Sequence, residues 1–212
     1  TGPTLVGGYI NLFMGYYAGY GASSAGYNIG LGYGALQNLT SGVNNIAIGK
    51  HAGKSNSPSG AISSGSNSIC LGNNSIANLY CADTTISSSD ARDKTDISDF
   101  SPGLSFIKKL RPVTYRWDKR SWYIEDNSDD VISQKPDGTY KKAKQHAGFL
   151  AQEVLAIEKE FGWAKGKDDM LFVNLNEDES AYGLKYERLI PVLVNAVKEL
   201  SSEIDTLKTK VG

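Results

Sequence analysis

The sequence predicts two unlike parts in one chain: an N-terminal all-β stack of short repeats over residues 1–86, and a C-terminal α+β unit over residues 87–212 that is closed by a long helix. Three observations predict this. Charge and glycine content change abruptly near residue 82, a glycine-closed motif recurs four times before that step, and apolar residues recur at three- and four-residue intervals near the C-terminus.

The step is hidden by the averages. The 212 residues include 22 basic and 23 acidic ones, for a net charge of −1. Residues 1–82 nevertheless hold 16 of the 23 glycines and no acidic residue, with Lys50 and Lys54 as their only charges. A break of this kind marks a domain boundary. The near-neutral total argues against a nucleic-acid partner. The longest apolar run, Leu189 to Val194, contains Pro191 and falls far short of the ~20 residues that span a bilayer, so no membrane insertion is expected. No signal peptide is evident, and a chain beginning at Thr1 reads as a piece of a longer protein.

Each repeat is an apolar residue, any residue, an apolar residue, glycine, two further residues and a small one. The copies are Leu12 to Gly15 with Ala18, Ile29 to Gly32 with Ala35, Ile46 to Gly49 with Ala52, and Ile69 to Gly72 with Ser75. Alternating apolar residues predict a strand, and the closing glycine predicts a turn. Asn11, Asn28, Asn44, Asn45 and Asn67 lie just upstream, where asparagine side chains bond local backbone in tight turns. With two apolar residues per copy, a stack would present an apolar seam that wants other chains against it. This pattern resembles the left-handed β-roll repeats in the heads of trimeric autotransporter adhesins and in phage tail fibres. A flexible glycine linker is the bland alternative, and it would lack such in-register apolar pairs.

The C-terminal part reads as ordinary globular sequence. Pro102 opens a short amphipathic helix over Leu104 to Leu110. Val113 to Trp117 alternates as a strand, and residues 146–150 are its expected partner. Pro136-Asp137-Gly138 is a turn, Ala151 to Phe161 a helix ended by Gly162, and residues 170–175 and 182–186 a second strand pair. In the last segment, Ile190, Leu193, Val197, Leu200, Ile204, Leu207 and Val211 form a heptad seam, predicting a coiled-coil helix over about residues 187–211. A single amphipathic helix packed on its own domain is the alternative.

Ordinary catalytic and metal sites find little support. Cys70 and Cys81 form neither a CxxC pair nor a disulfide framework, and only His51 and His146 offer imidazole, so neither metal nor cofactor is expected. Gly30, Gly32 and Gly34 belong to the repeat, and no phosphate-loop lysine follows them. The pairs Asp129-Asp130 and Asp168-Asp169 fall in polar loops, where carboxylates are expected to be solvated.

One short stretch stands apart at the junction of the two parts: Ser87-Ser88-Ser89-Asp90-Ala91-Arg92-Asp93-Lys94. It resembles the cleavage signature of the peptidase S74 intramolecular chaperone domains, found at the C-termini of phage tail fibres, tail spikes and neck appendages. Further landmarks follow in the family's order: Leu110-Arg111-Pro112-Val113-Thr114-Tyr115-Arg116-Trp117, then Gly148-Phe149-Leu150-Ala151-Gln152-Glu153-Val154, then Tyr186 to Leu193 with the heptads behind it. The resemblance spans about residues 87–208. It implies a homotrimer, a fibre tip that meets a host cell-surface receptor or glycan, and a virion location after assembly in the host cytoplasm. It also implies one self-cleavage between Ser89 and Asp90, with Ser89 and Lys94 as a serine–lysine dyad and Arg92 and Asp93 in support.

The spacing of that dyad sets a condition. On a helix, positions i and i+5 point about 140° apart, and on a strand they face opposite sides about 16 Å apart. Either a turn at Asp90 to Asp93 folds Lys94 back, or another chain supplies the lysine. Many family members carry an apolar residue where this chain has Asp93, whose carboxylate favours the ammonium form of a neighbouring lysine unless it turns away or pairs with Arg92. Attack by Ser89 on its own carbonyl would close a strained four-membered lactone, so its hydroxyl either polarises the bond or is served by water. Two rival readings remain: a fibre tip that keeps its C-terminal domain attached, and a membrane-tethered transcription factor, against which the absence of a basic domain weighs.

Overall fold

The computed structural model describes residues 8–82, 86–124 and 129–211. The fold is mixed α/β with a long C-terminal helix. It divides into two compact units, one of residues 1–77, 114–147 and 175–183, the other of residues 78–113, 148–174 and 184–212.

In the first unit the four repeats form strands β1 (Leu12–Met14), β2 (Ile29–Leu31), β3 (Ile46–Ile48) and β4 (Ile69–Leu71), stacked in chain order as one parallel sheet. Equivalent repeat positions pair directly: Leu12 with Ile29, Ile46 and then Ile69, and Met14 with Leu31, Ile48 and then Leu71. The closing glycines stack as well. A Cβ on Gly15 would stand 2.6 Å from the Gly32 carbonyl oxygen and one on Gly32 2.8 Å from that of Gly49, while both glycines hold φ near +130° (132° and 125°). Only glycine meets both demands.

Side chains alternate along each strand. The central residues Phe13, Gly30, Ala47 and Cys70 face inward, where the core also takes in Ala22, Ala25, Leu36, Leu39, Ala52 and Ile62. The flanking pairs face outward, and Leu12, Met14, Ile48, Ile69 and Leu71 are exposed. The asparagines depart from the expectation of purely local turn bonds. Asn11, Asn28 and Asn45 form a ladder across the repeats, the last two of them buried: Asn11 Oδ1 accepts from the Asn28 backbone and side chain, Asn28 Oδ1 does the same for Asn45, and Asn45 Oδ1 accepts from Ser68 N. Asn44 and Asn67 instead occupy left-handed backbone positions, with φ of 56° and 61°.

Later segments of the same unit hold the longer excursion between β3 and β4. Asp178 accepts from Ala61 N at 2.7 Å, and Glu177 N donates to the Ser59 carbonyl. Asp129 is exposed, as expected of it from the sequence, and it also accepts from Ser55 Oγ and Asn38 Nδ2 and lies 3.8 Å from the buried Lys54 ammonium. Asp130 binds Ser133. His146, on β6 (Gln145–Gly148), stacks on Tyr115 of its partner strand β5 (Val113–Arg116). The second predicted strand pair is β7 (Val173–Leu175) with β8 (Tyr182–Leu184).

The second unit is built on three helices: α1 (Leu104–Ile107), α2 (Ala151–Glu160) and α3 (Leu189–Val211). Their core joins Phe106, Val154, Leu155, Ile157, Phe172, Leu189 and Val192. Helix α2 ends before Gly162, whose φ of 85° takes the chain out of the helix. Pro191 sits in the first turn of α3, where its missing N–H costs nothing. Asn195 donates to the carbonyls of Phe100 and Pro102, and Glu199 accepts from Leu104 N at 2.9 Å. These contacts, with buried Leu189, Val192 and Ala196, seat one face of α3 on its own unit. The heptad seam lies on another face, and every member from Ile190 to Val211 is between 44% and 86% exposed.

A buried carboxylate that the sequence did not announce ties α2 to the following segment. Glu158 has no solvent exposure and accepts from the backbone N–H groups of Leu171 and Phe172 at 2.7 Å and of Val173 at 3.4 Å. Charge-assisted bonds of this type compensate burial only while they are complete. Glu158→Ala is therefore expected to destabilise the second unit by several kcal/mol, about 1–3 for each N–H left unpaired. Glu160→Ala, on the exposed face of the same helix, should cost within about 0.5 kcal/mol. Denaturant titration of both variants checks this.

Candidate functional site

The junction stretch folds as the spacing condition requires. Residues Ala91–Asp93 form one 3-10 turn, with Asp90 as its N-cap: Asp90 Oδ1 accepts from Arg92 N at 2.9 Å. Backbone bonds from Asp93 N to the Asp90 carbonyl and from Lys94 N to the Ala91 carbonyl close the turn. This reversal brings the Lys94 ammonium to the Ser89 hydroxyl, with Nζ donating to Oγ at 2.7 Å. Serine and lysine therefore meet within one chain, through a turn that Asp90 caps.

Arg92 takes a different partner from the one considered for it. Its guanidinium grips Asp90, with Nε 3.0 Å from Oδ1 and Nη2 2.6 Å from Oδ2. The bonds from Arg92 hold the Asp90 carboxyl below the ordinary aspartate range, and Asp90 in turn raises Arg92. Among the described residues, no ion pair joins Asp93 to Arg92 or Lys94. All residues from Ile86 to Lys94 are exposed. A lysine serves as a base only where desolvation or neighbouring cations favour its neutral form, and the single chain provides no burial at this point.

The other landmarks converge in the second unit. Arg111 forks onto Glu153, and the pairing raises the arginine further. Tyr186 Oη accepts from Phe149 N at 3.1 Å, and the two rings stack. The three stretches that follow the junction in sequence thus meet through named side chains. The remaining candidates do not gather into a site. His51 is buried beside Asn56, Cys70 is buried in the sheet interior, Cys81 is exposed, and no group of metal-binding side chains occurs among the described residues.

Residues 89–163 match the family model Peptidase S74, chaperone of endosialidase, so the matched domain opens on Ser89. This part of the chain is similar to the peptidase S74 chaperone domains. No curated protein matches the chain. Among the described residues, no helix is long and apolar enough to cross a membrane.

The cap has a definite pH signature. A carboxyl lowered in the fold stabilises it fully above its unfolded value, and that contribution disappears as pH falls through the folded value. Asp90 should therefore titrate below an ordinary aspartate by carboxyl-carbon NMR, and Arg92→Ala should move its midpoint upward. An unchanged midpoint in the variant would remove Arg92 from the turn.

Proposed function

We propose that this chain is the tip of a homotrimeric viral tail fibre or appendage, with a C-terminal intramolecular chaperone that drives trimerisation and is then released by one self-cleavage between Ser89 and Asp90. The observation that carries this reading is the contact of Ser89 with Lys94 at the first residues of the chaperone domain.

Two outward apolar surfaces supply the reason to assemble. The repeat edge and the α3 seam are both uncovered in the single chain. In a trimer, three repeat stacks close on one another as an adhesin-like β-roll and three α3 helices form a short coiled coil. Joining at the C-terminal domain first raises the effective concentration of the repeat segments and fixes their register. Assembly also provides the burial that the exposed dyad lacks, so cleavage follows correct folding.

In the cleavage step a water oxygen bonds to the Ser89 carbonyl carbon. The bond to Asp90 N breaks, and a proton passes to the new amine. Lys94, once neutral, draws the proton of the Ser89 hydroxyl or, through it, that of the water. The released piece is residues 90–212, about 13 kDa by length proportion. The repeats stay on the particle as the part that meets the host surface, and they persist kinetically once the scaffold for refolding has gone.

Ser89→Ala and Lys94→Ala should each fold and trimerise yet remain one chain on a denaturing gel. Continued cleavage at the same bond would end the dyad assignment. Val197→Asp with Ile204→Asp places six charges in the trimeric seam, and unpaired buried charge costs several kcal/mol. Light scattering should then report monomer or aggregate, with cleavage lost, and a normal trimer would remove the chaperone role from this helix.

A further inference from the structure

The longer excursion between β3 and β4 lies in the first unit together with residues 114–147 and 175–183, which follow the Ser89–Asp90 bond in sequence. Three grips join the two sides of that bond. Asp178 Oδ2 accepts from Ala61 N at 2.7 Å, and Asp129 Oδ1 accepts from Ser55 Oγ at 2.6 Å. Just beyond β4, the Asn74 carbonyl accepts from both Trp122 Nε1 at 3.1 Å and Lys119 Nζ at 3.2 Å.

Charge and shape both fit. Residues 1–82 contain no acidic residue, so a counter-charge for the buried Lys54 ammonium has to come from a later segment. Asp129 supplies it at 3.8 Å. A Cβ on Gly60 would stand 2.2 Å from Asp178 Oδ1, and one on Gly65 would stand 2.7 Å from Glu177 Oε2. The excursion is thus bare where the two carboxylates rest. Hydrogen bonds that involve an ionised group are among the stronger ones in proteins. None of these grips includes a residue of the exposed junction, Ile86 to Lys94, so none depends on an intact backbone there. A cut in the junction leaves every one of them in place.

We propose that the excursion between β3 and β4 is a docking surface for residues 114–147 and 175–183 of the same chain, and that it keeps the two pieces bound after the junction is cut. Cutting and release are then separate steps, and release waits for these grips to open. The docking does not rest on the cleavage reading; only the protein's making the cut itself does.

The cut is made here without the serine–lysine chemistry. A recognition sequence for a site-specific protease is inserted after Ser88 in the 212-residue Ser89→Ala protein, and cutting is followed on a denaturing gel. Size-exclusion chromatography under native conditions should show the two pieces eluting together. Asp178→Asn, which keeps the size of the side chain, should shorten the half-time of their separation on dilution at least about tenfold. Adding Asp129→Ala should shorten it further. Asp168→Asn, at an exposed carboxylate of the second unit, should leave it unchanged. Pieces that part as soon as the junction is cut overturn the proposal, as does an unchanged half-time in the protein carrying both Asp178→Asn and Asp129→Ala. Either result leaves self-cleavage of the unmodified chain untouched, and a failure of self-cleavage leaves the docking untouched.

Discussion

Close backbone stacking is the constraint on which the N-terminal unit depends. Gly15, Gly32 and Gly49 approach the next repeat so tightly that no side chain could be added at Gly15 or Gly32 without collision. The inward position of the strand is small in β2, β3 and β4, at Gly30, Ala47 and Cys70, and Leu36, Leu39 and Ile62 fill the rest of the interior. The apolar residues that flank the inward position on each strand point outward in pairs. The same geometry that closes the stack leaves its most apolar surface uncovered, which is a physical reason for the unit to meet other copies.

The second unit divides its apolar surface in a comparable way. Leu189, Val192 and Ala196 anchor the beginning of α3, while Asn195 and Glu199 satisfy backbone groups of the segment leading into α1. The heptad residues of the helix, from Ile190 to Val211, are exposed. Anchoring one face fixes the direction in which the exposed seam leaves its own unit. Glu158 makes the anchor rigid by tying α2 to the segment that supplies Phe172.

Much of this was legible in the sequence. The repeat spacing gave all four strands and their pairing, because a parallel stack transfers sequence register directly into space. The heptad gave the exposed seam, and the predicted helix bounds differ by a few residues where a 3-10 turn at Tyr186–Arg188 precedes α3. The serine–lysine spacing required a turn or a second chain, and a turn capped by Asp90 is what forms. Long-range polar partnerships were not legible. Asn28 reads like any turn asparagine until stacking places it between Asn11 and Asn45, and Glu158 looks like an exposed helical glutamate until Leu171 and Phe172 fold over it. Asp129 likewise acquires its role only from Ser55 and Lys54, more than 70 positions earlier in the chain. Local pattern carries no record of partners so distant.

The central claim is that assembly and a single cut are linked through Ser89 and Lys94. Intact-mass measurement of freshly expressed, unmodified protein tests it most directly. The account predicts a fragment of about 13 kDa whose N-terminal residue is Asp90, appearing with the trimer. A single uncut species near 23 kDa in protein that has already trimerised, or a cut at any other bond, would contradict it.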